Sequence, residues 1–414
     1  MISRFPQRLP RKWRLVNRAL LIVACLFCVI QCSRCVFGGE GEDSKREKNL
    51  ENEDTLPQRV VPDSVIPGHI ENQASRAIDL KHVYAQKDTG LARLMDTYLR
   101  RYHPDNALYL AVDAKTNEII AWGERKDGVV QAEPDFLSRA TFPAASLAKT
   151  VTVAAAFESN VYSSHSSVPL IGRAHTLYKR QLSVPENYRG PEVSVEDAYA
   201  KSFNPPIALI GMRVGAKRLE RAAEKFGFNR TFPLGLPERS LYTPPDSGYG
   251  LAEVACGFTE NTTLSPLQAA AMVRSIVTQK PLEIPWEKNG ASGYAPSKES
   301  SLGLEPFSAG VYWGLQNAMV ATAKKGTSRR YMTTRYISRK VFDDLKIGGK
   351  TGSLDGQNPK GRYDWFMGFA QSRSNPDRAL ILVIMQVHGE MRTQVASQVA
   401  ALLINSWAKE NFHD

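Results

Sequence analysis

The sequence predicts a mixed α/β (α+β) fold, with one sheet drawn from strands at both ends of a domain and a helical region inserted between them. Strand-like apolar runs fall at residues 107–112 and 119–122, then again at 345–352, 365–370 and 379–387. The long interval between those groups carries helical spacing instead. A polar stretch with repeated prolines separates this domain from a basic and then apolar N-terminus.

Taken in order, a helical pattern over 91–101 precedes the first hairpin, whose turn is the polar run 113–117. Phe142-Pro143-Ala144-Ala145 leads into Ser146 and a helical stretch over 147–158. That puts Ser146 at a helix N-terminus, where its backbone amide is free to donate. Residues 163–189 read as irregular. Helices are expected over 195–201 and 207–226, the second opened by Pro205-Pro206 and stopped at Gly227. Ser265, with Pro266 next and Gln268 three residues on, is a capping box for a helix over 267–278. Residues 280–304 are polar and loop-like. A helix over 309–324 stops before Gly326, three strands follow, and an amphipathic helix over 395–409 closes the chain.

The chain has 414 residues, room for two or three average domains or one large domain with an appendage. Its net charge of +11 is concentrated at the start, where Arg4, Arg8, Arg11, Lys12, Arg14, Arg18 and Arg34 precede the first acidic residue, Glu40. No basic cluster for phosphates stands out beyond them, so nucleic-acid binding is not expected. The basic stretch runs into the apolar residues 19–30, the layout of a secretory signal or a signal anchor with its positive side in the cytoplasm. Extended to Phe37, the segment approaches the roughly 20 residues that span a bilayer. It does so only by accepting Gln31, Ser33 and Arg34. No small-x-small cleavage site stands out, which favours a retained anchor over a cleaved signal. The expected organisation is 1–39 as export signal or membrane anchor, 40–90 as a polar, proline-containing tether, and 91–414 as the folded domain. The expected location is the inner (cytoplasmic) membrane, crossed once, with the domain on the periplasmic or extracytoplasmic side, or secretion after cleavage.

Cys25, Cys28, Cys32 and Cys35 repeat a C-x-x-C spacing, but inside an apolar export segment no folded cage would hold a metal. Lipidation of Cys32 or Cys35 is the better rival, although Gln31 and Arg34 suit a lipoprotein processing site badly. Cys256 is left to act as a small core residue. No metal and no cofactor are expected.

Three short strings carry the chemistry: Ser146-Leu147-Ala148-Lys149, Ser202-Phe203-Asn204 and Lys350-Thr351-Gly352. A Ser-x-x-Lys pattern alone is weak, and Ser406-Trp407-Ala408-Lys409 is a second copy that reads as surface helix. Ser-x-Asn and Lys-Thr-Gly each occur once, both downstream of Ser146. Together they supply a nucleophile with an amine one helical turn away, a hydroxyl with an amide, and a cation with a hydroxyl on a glycine-rich strand. Those are the parts of a serine acyl-transfer site that uses lysine in place of histidine. An unperturbed lysine titrates near 10.4, so a neutral amine at Lys149 requires burial or a second cation, and Lys350 is the expected cation. Ser202 is placed to relay a proton and Asn204 to orient a substrate carbonyl. Lys350 and Thr351 would hold a carboxylate on a glycine-rich strand, Ile347-Gly348-Gly349, along which a substrate backbone could lie, with Gly352 removing the side chain that would block approach. The amides of Ser146 and Ser353 are the candidate oxyanion hole. A phosphate loop ending at Gly349-Lys350-Thr351 is excluded, because its first glycine would fall on Asp344. No Gly-x-Ser-x-Gly elbow occurs, and none of the seven histidines sits in a recognisable triad context.

From about Asn106 to Lys409 the chain resembles the transpeptidase domain of penicillin-binding proteins. Leu110-Ala111-Val112-Asp113-Ala114 with Thr116-Asn117-Glu118-Ile119-Ile120-Ala121 resembles that family's opening hairpin. Phe142-Pro143-Ala144-Ala145-Ser146 resembles the approach to its nucleophile, Leu264-Ser265-Pro266-Leu267-Gln268-Ala269-Ala270 a helix start before its third motif, and Trp365-Phe366-Met367-Gly368-Phe369 the strand after it. The resemblance implies an antiparallel sheet of about five strands flanked by helices, beside an all-helical subdomain, with the site between them. It also implies a D,D-transpeptidase: Ser146 would attack the D-Ala-D-Ala bond of a peptidoglycan stem peptide and pass the acyl group to an acceptor amine, and β-lactams would acylate the same serine. Phe203 departs from the family in bulk, which narrows the cleft. Upstream of Asn106 there is no room for a glycosyltransferase domain or a large pedestal. The alternatives are a D,D-carboxypeptidase or β-lactamase on the same fold, or a non-catalytic scaffold that binds β-lactams or peptidoglycan. Cell-wall synthesis proteins are the implied partners.

Overall fold

A computed structural model describes residues 89–232, 237–285 and 303–412, all within the unit Ala74–Asp414. The expected anchor, nearly all of the expected tether and most of the loop over 280–304 lie outside the described residues. Among those described, no helix is long and apolar enough to cross a membrane.

In chain order the elements are α1 (Thr89–Tyr102), β1 (Asn106–Asp113), β2 (Ile119–Lys126), β3 (Val129–Val130), α2 (Lys149–Glu158), β4 (Ser167–Pro169), β5 (Glu192–Ser194), α3 (Val195–Ala200), α4 (Asn204–Val214) and α5 (Ala216–Lys225). They continue as α6 (Gly248–Cys256), α7 (Pro266–Thr278), α8 (Ala309–Lys324), α9 (Arg339–Phe342), β6 (Leu345–Gln357), β7 (Lys360–Ser372), β8 (Ala379–His388) and α10 (Ala396–Asn411).

Side chains on β1 alternate between two apolar cores: Leu108, Leu110 and Val112 belong to one, Ala107, Tyr109 and Ala111 to the other. On β8, Ile381, Val383 and Met385 face the first core, Leu380, Leu382 and Ile384 the second. A strand that is apolar on both faces must be covered on both. Residues of α10 and α1 complete the second core, and α7 and the helical half complete the first. The strands run antiparallel in the order β3-β2-β1-β8-β7-β6, so the N-terminal hairpin and the C-terminal hairpin meet through β8. This is the expected sheet with one addition, the two-residue edge strand β3.

Within the helical half, α2 is buried along Lys149–Ala156. Its hydroxyls are therefore satisfied internally: Thr152 Oγ1 donates to Ala255 O at 2.6 Å, and Thr150 Oγ1 shares a hydrogen bond with Tyr199 OH at 3.0 Å. The helix expected over 207–226 is two helices, broken at Gly215, whose φ of +86° cannot continue a right-handed helix. Helix α6 went unread because its opening Gly248-Tyr249-Gly250 resembles a loop. Strands β6 and β7 outrun their expected lengths and pair as far as Gln357 with Lys360. Half of the expected capping box forms: Ser265 Oγ accepts from Gln268 N at 3.2 Å, but the Gln268 side chain donates to Phe226 O at 2.9 Å and Ser265 N–H donates to Ser240 Oγ at 3.1 Å.

Candidate active site

Ser146 lies in a tight 3₁₀ turn, Ala145–Ala148, that feeds straight into α2, so Lys149 opens the helix one turn beyond the serine. The turn is fixed from outside. Ala144 N–H donates to Thr262 O at 2.8 Å, and the Trp365 indole donates to Pro143 O at 3.1 Å. Ala145 takes φ 48°, a left-handed conformation that a residue with a side chain holds only when its surroundings dictate it. Ser146 is half-buried, and among the described residues its hydroxyl makes no hydrogen bond.

Lys149 and Lys350 are both fully buried, at 0% exposure. Lys149 Nζ donates to Asn204 Oδ1 at 2.6 Å, to Ser202 O at 2.9 Å and to Ser202 Oγ at 3.1 Å. Lys350 Nζ donates to the same Ser202 Oγ at 2.9 Å and to Thr351 O at 2.7 Å, and stands 5.5 Å from the centre of the Tyr199 ring. One hydroxyl thus bridges two amines carried by different halves of the fold. Ser202 itself has φ 57°, so the second motif, like the first, is built on a strained backbone.

Burial pushes the Lys149 amine down to about 8, slightly opposed by the neighbouring Cys256 thiol, which burial pushes up to about 11. Lys350 is held well below the ordinary lysine value by its burial and then by the charge of Lys149. Burial is the first cause at both amines, as expected for Lys149, and the repulsion between the two disfavours a second charge on the pair. Two buried ammonium groups around one hydroxyl are costly, so the pair readily gives up one proton.

Of the sequence-derived residues, Lys149, Ser202, Asn204, Lys350 and Thr351 form one hydrogen-bonded group. Gly352 packs against the Ser146 turn; a side chain there would meet Ala145 Cβ at 3.3 Å and Leu147 Cγ at 3.4 Å. The Ser353 hydroxyl is buried and unpartnered among the described residues. Gly348 and Gly349 do not open a surface for a ligand: their missing side chains are filled by the rings of Phe369 and Phe366.

Three contributors carry no motif. Tyr199 backs Lys350. Gly257 leaves room for Ala145 O, which a Cβ would approach to 1.8 Å. Thr327, just past the end of α8, donates its N–H to Ala200 O at 3.1 Å and shares a hydrogen bond with Thr351 Oγ1 at 2.5 Å. The helix-stopping Gly326 was the only sequence signal near it. Thr327→Val is expected to slow β-lactam acylation about 3- to 10-fold, the loss of one hydrogen bond worth about 1 kcal/mol, without lowering the melting temperature. Stopped-flow acylation beside a thermal melt checks this.

A helix-flanked antiparallel sheet beside a helical half, with these three motifs gathered where the halves meet, defines a penicillin-recognising serine protein. The chain belongs to the penicillin-binding protein transpeptidase family: a family model described as the penicillin binding protein transpeptidase domain matches residues 107–405. Among curated relatives, stage V sporulation protein D of Bacillus subtilis is 22% identical over 361 residues, 81% of this chain and 53% of that protein. Peptidoglycan D,D-transpeptidase PbpA of Mycobacterium tuberculosis is 26% identical over 265 residues, covering 59% of this chain and 50% of its own length. The chain thus spans about half the length of these curated relatives. Among solved structures, the transpeptidase domain of the FtsI4 D,D-transpeptidase from Legionella pneumophila superposes with a TM-score of 0.52 at 18% identity, covering 81% of this chain and 99% of that one. The imipenem acyl-enzyme complex of penicillin-binding protein A from M. tuberculosis gives a TM-score of 0.52 at 18% identity, with 78% of each chain covered. At these identities the superpositions speak for the fold.

Proposed function

We propose that this chain is a peptidoglycan D,D-transpeptidase that acylates Ser146 with a D-Ala-D-Ala stem peptide and transfers the acyl group to an acceptor amine. The observation that carries this reading is the Ser202 hydroxyl held between the amines of Lys149 and Lys350, beside the turn that bears Ser146. In this mechanism the neutral amine of the pair takes the Ser146 proton as Oγ attacks the penultimate carbonyl carbon. Ser202 passes a proton to the departing D-alanine nitrogen as the C–N bond breaks, leaving an ester on Ser146. The acceptor amine then attacks that ester, its surplus proton returns through the same groups to Oγ, and the new amide leaves. The backbone amides of Ser146 and Ser353 are the proposed oxyanion donors, and Lys350, Thr351 and Gly352 line the proposed seat of the substrate carboxylate.

Among the described residues, no carboxylate hydrogen-bonds to Lys149, Ser202, Asn204 or Lys350. With no carboxylate there to serve as a general base for water, transfer to an amine fits better than hydrolysis, and a β-lactam adduct is expected to persist. The wider reading has residues 1–39 as export signal or single-pass anchor in the inner membrane, 40–90 as tether and 91–414 as a periplasmic or extracytoplasmic domain. Stem peptides would be its substrates, β-lactams its covalent inhibitors and cell-wall synthesis proteins its partners.

A fluorescent penicillin is expected to label the parent protein on one serine, and Ser146→Ala is expected to take up none. Labelling that survives Ser146→Ala would overturn the enzymatic reading, and rapid loss of the adduct would favour a carboxypeptidase or β-lactamase.

A further inference from the structure

The second motif is gripped by a residue that belongs to no motif. Asn204 N–H donates to Ala174 O at 2.7 Å and its side-chain amide donates to His175 O at 3.0 Å, so one exposed segment engages the main-chain and side-chain nitrogens of the residue whose Oδ1 receives Lys149. The His175 imidazole meets the Phe203 ring edge-on, with centroids 5.5 Å apart and planes at 66°. It also lies against the Ser202 main chain. Ser202, Phe203 and Asn204 are thus each engaged by the same histidine, and the first of them holds a left-handed φ that needs outside support. Resting on the acyl-transfer reading above, the geometry points to His175 as a positioning residue that locks the Ser202–Asn204 turn against Lys149 and disengages it when its ring is protonated.

The charges facing the ring make that release directional. Lys149 of α2 and Lys350 of β6, both hydrogen-bonded to Ser202 Oγ, act on the ring; Lys201, 6.0 Å from the Phe203 ring centre, is paired with Asp197 at 3.1 Å. Burial, then Lys149, then Lys350 hold the imidazole below its ordinary value of 6.5, with the Ser202 backbone opposing them. The ring is therefore neutral at pH 7. Acidification adds a positive charge beside two lysine amines, and the repulsion falls on the turn that carries Ser202.

The test is the second-order rate of acylation by a fluorescent penicillin, followed from about pH 5 to pH 8 on the full chain. Below the midpoint of the ring, the logarithm of the parent rate should fall with a slope of about two, one proton on the lysine pair and one on His175. His175→Phe retains an aromatic face for Phe203 and should fall with a slope of about one. His175→Ala should lose roughly 10- to 100-fold at every pH through misplacement of the turn. NMR of the His175 ring gives an independent readout: its midpoint should lie below 6.5 and rise in Lys350→Met. Equal slopes for the parent and His175→Phe, parent-like acylation by His175→Ala, or a ring midpoint unmoved by Lys350→Met would each overturn the inference while leaving the acyl-transfer reading intact. A parent that takes up no penicillin would instead overturn that reading, and this inference with it.

Discussion

Lys149→Met is expected to lower the acylation rate by about four orders of magnitude, the scale on which removal of one member of a catalytic unit acts. The side chain is fully buried and its amine meets three oxygens, Asn204 Oδ1, Ser202 O and Ser202 Oγ. Methionine keeps most of the bulk and none of the donors. An ordinary lysine would need about 5 kcal/mol to be neutral at pH 7, whereas an amine titrating at about 8 needs only about 1.4 kcal/mol. In the proposed mechanism the neutral amine is the reactive form, so the parent rate should rise with pH and level off above about 8. Lys149→Met should lack that rise. Fold stability should not suffer, because the substitution also removes a buried charge and relieves Lys350 of its neighbour. Stopped-flow acylation across pH, with thermal melts, checks each part. A variant within tenfold of the parent would remove Lys149 from the mechanism.

Gly257→Ala should be the most destructive single methyl near the site. Gly257 ends α6 with φ +68°, where any L side chain costs roughly 1–2 kcal/mol. More serious is what the methyl would strike: Ala145 O at 1.8 Å and Ala145 C at 2.5 Å, both main-chain atoms of the turn that presents Ser146. No rotamer relieves a clash between Cβ and backbone, and Ala145 is already at φ 48°. Either α6 or the nucleophile turn must move, so a loss of at least about 3 kcal/mol and near-abolition of penicillin labelling are expected. Gly215→Ala is the internal control. Its φ of 86° and ψ of 155° fall in a region essentially reserved to glycine, so alanine there carries its own backbone cost of about 1–3 kcal/mol, but a Cβ meets nothing within 4 Å and labelling should be unchanged. Parent-like labelling by Gly257→Ala, or a loss in Gly215→Ala as large as in Gly257→Ala, would refute the steric argument.

The sheet and most helices were legible because apolar periodicity reports burial directly. The interval over 309–324 was read to its observed bounds, as its stop lies one residue before Lys325-Gly326. Gly215 hid a helix break because a lone glycine inside a helical pattern is ordinarily tolerated, and only its φ reveals the turn. The three motifs located Lys149, Ser202, Asn204, Lys350 and Thr351, since nucleophile, relay and cation have restricted residue types. Thr327, Gly257 and His175 were illegible for the opposite reason. Thr327 acts through one hydroxyl on Thr351, Gly257 through the side chain it lacks and His175 through a main-chain oxygen and a ring face, and such roles leave no fixed residue pattern in a single sequence.

The sheet order carries a consequence for how the protein comes into being. Ser146 follows the N-terminal hairpin and Lys350 rides the C-terminal one, yet these hairpins join only when β8 slots between β1 and β7. Nearly all of the chain must therefore have been made before the nucleophile meets its partner amine across the seam. Contacts of such long sequence separation fold slowly. A chain that stops short of β6 would hold Ser146, Lys149 and Asn204 without Lys350, so the proposed centre is assembled only once β8 closes the sheet.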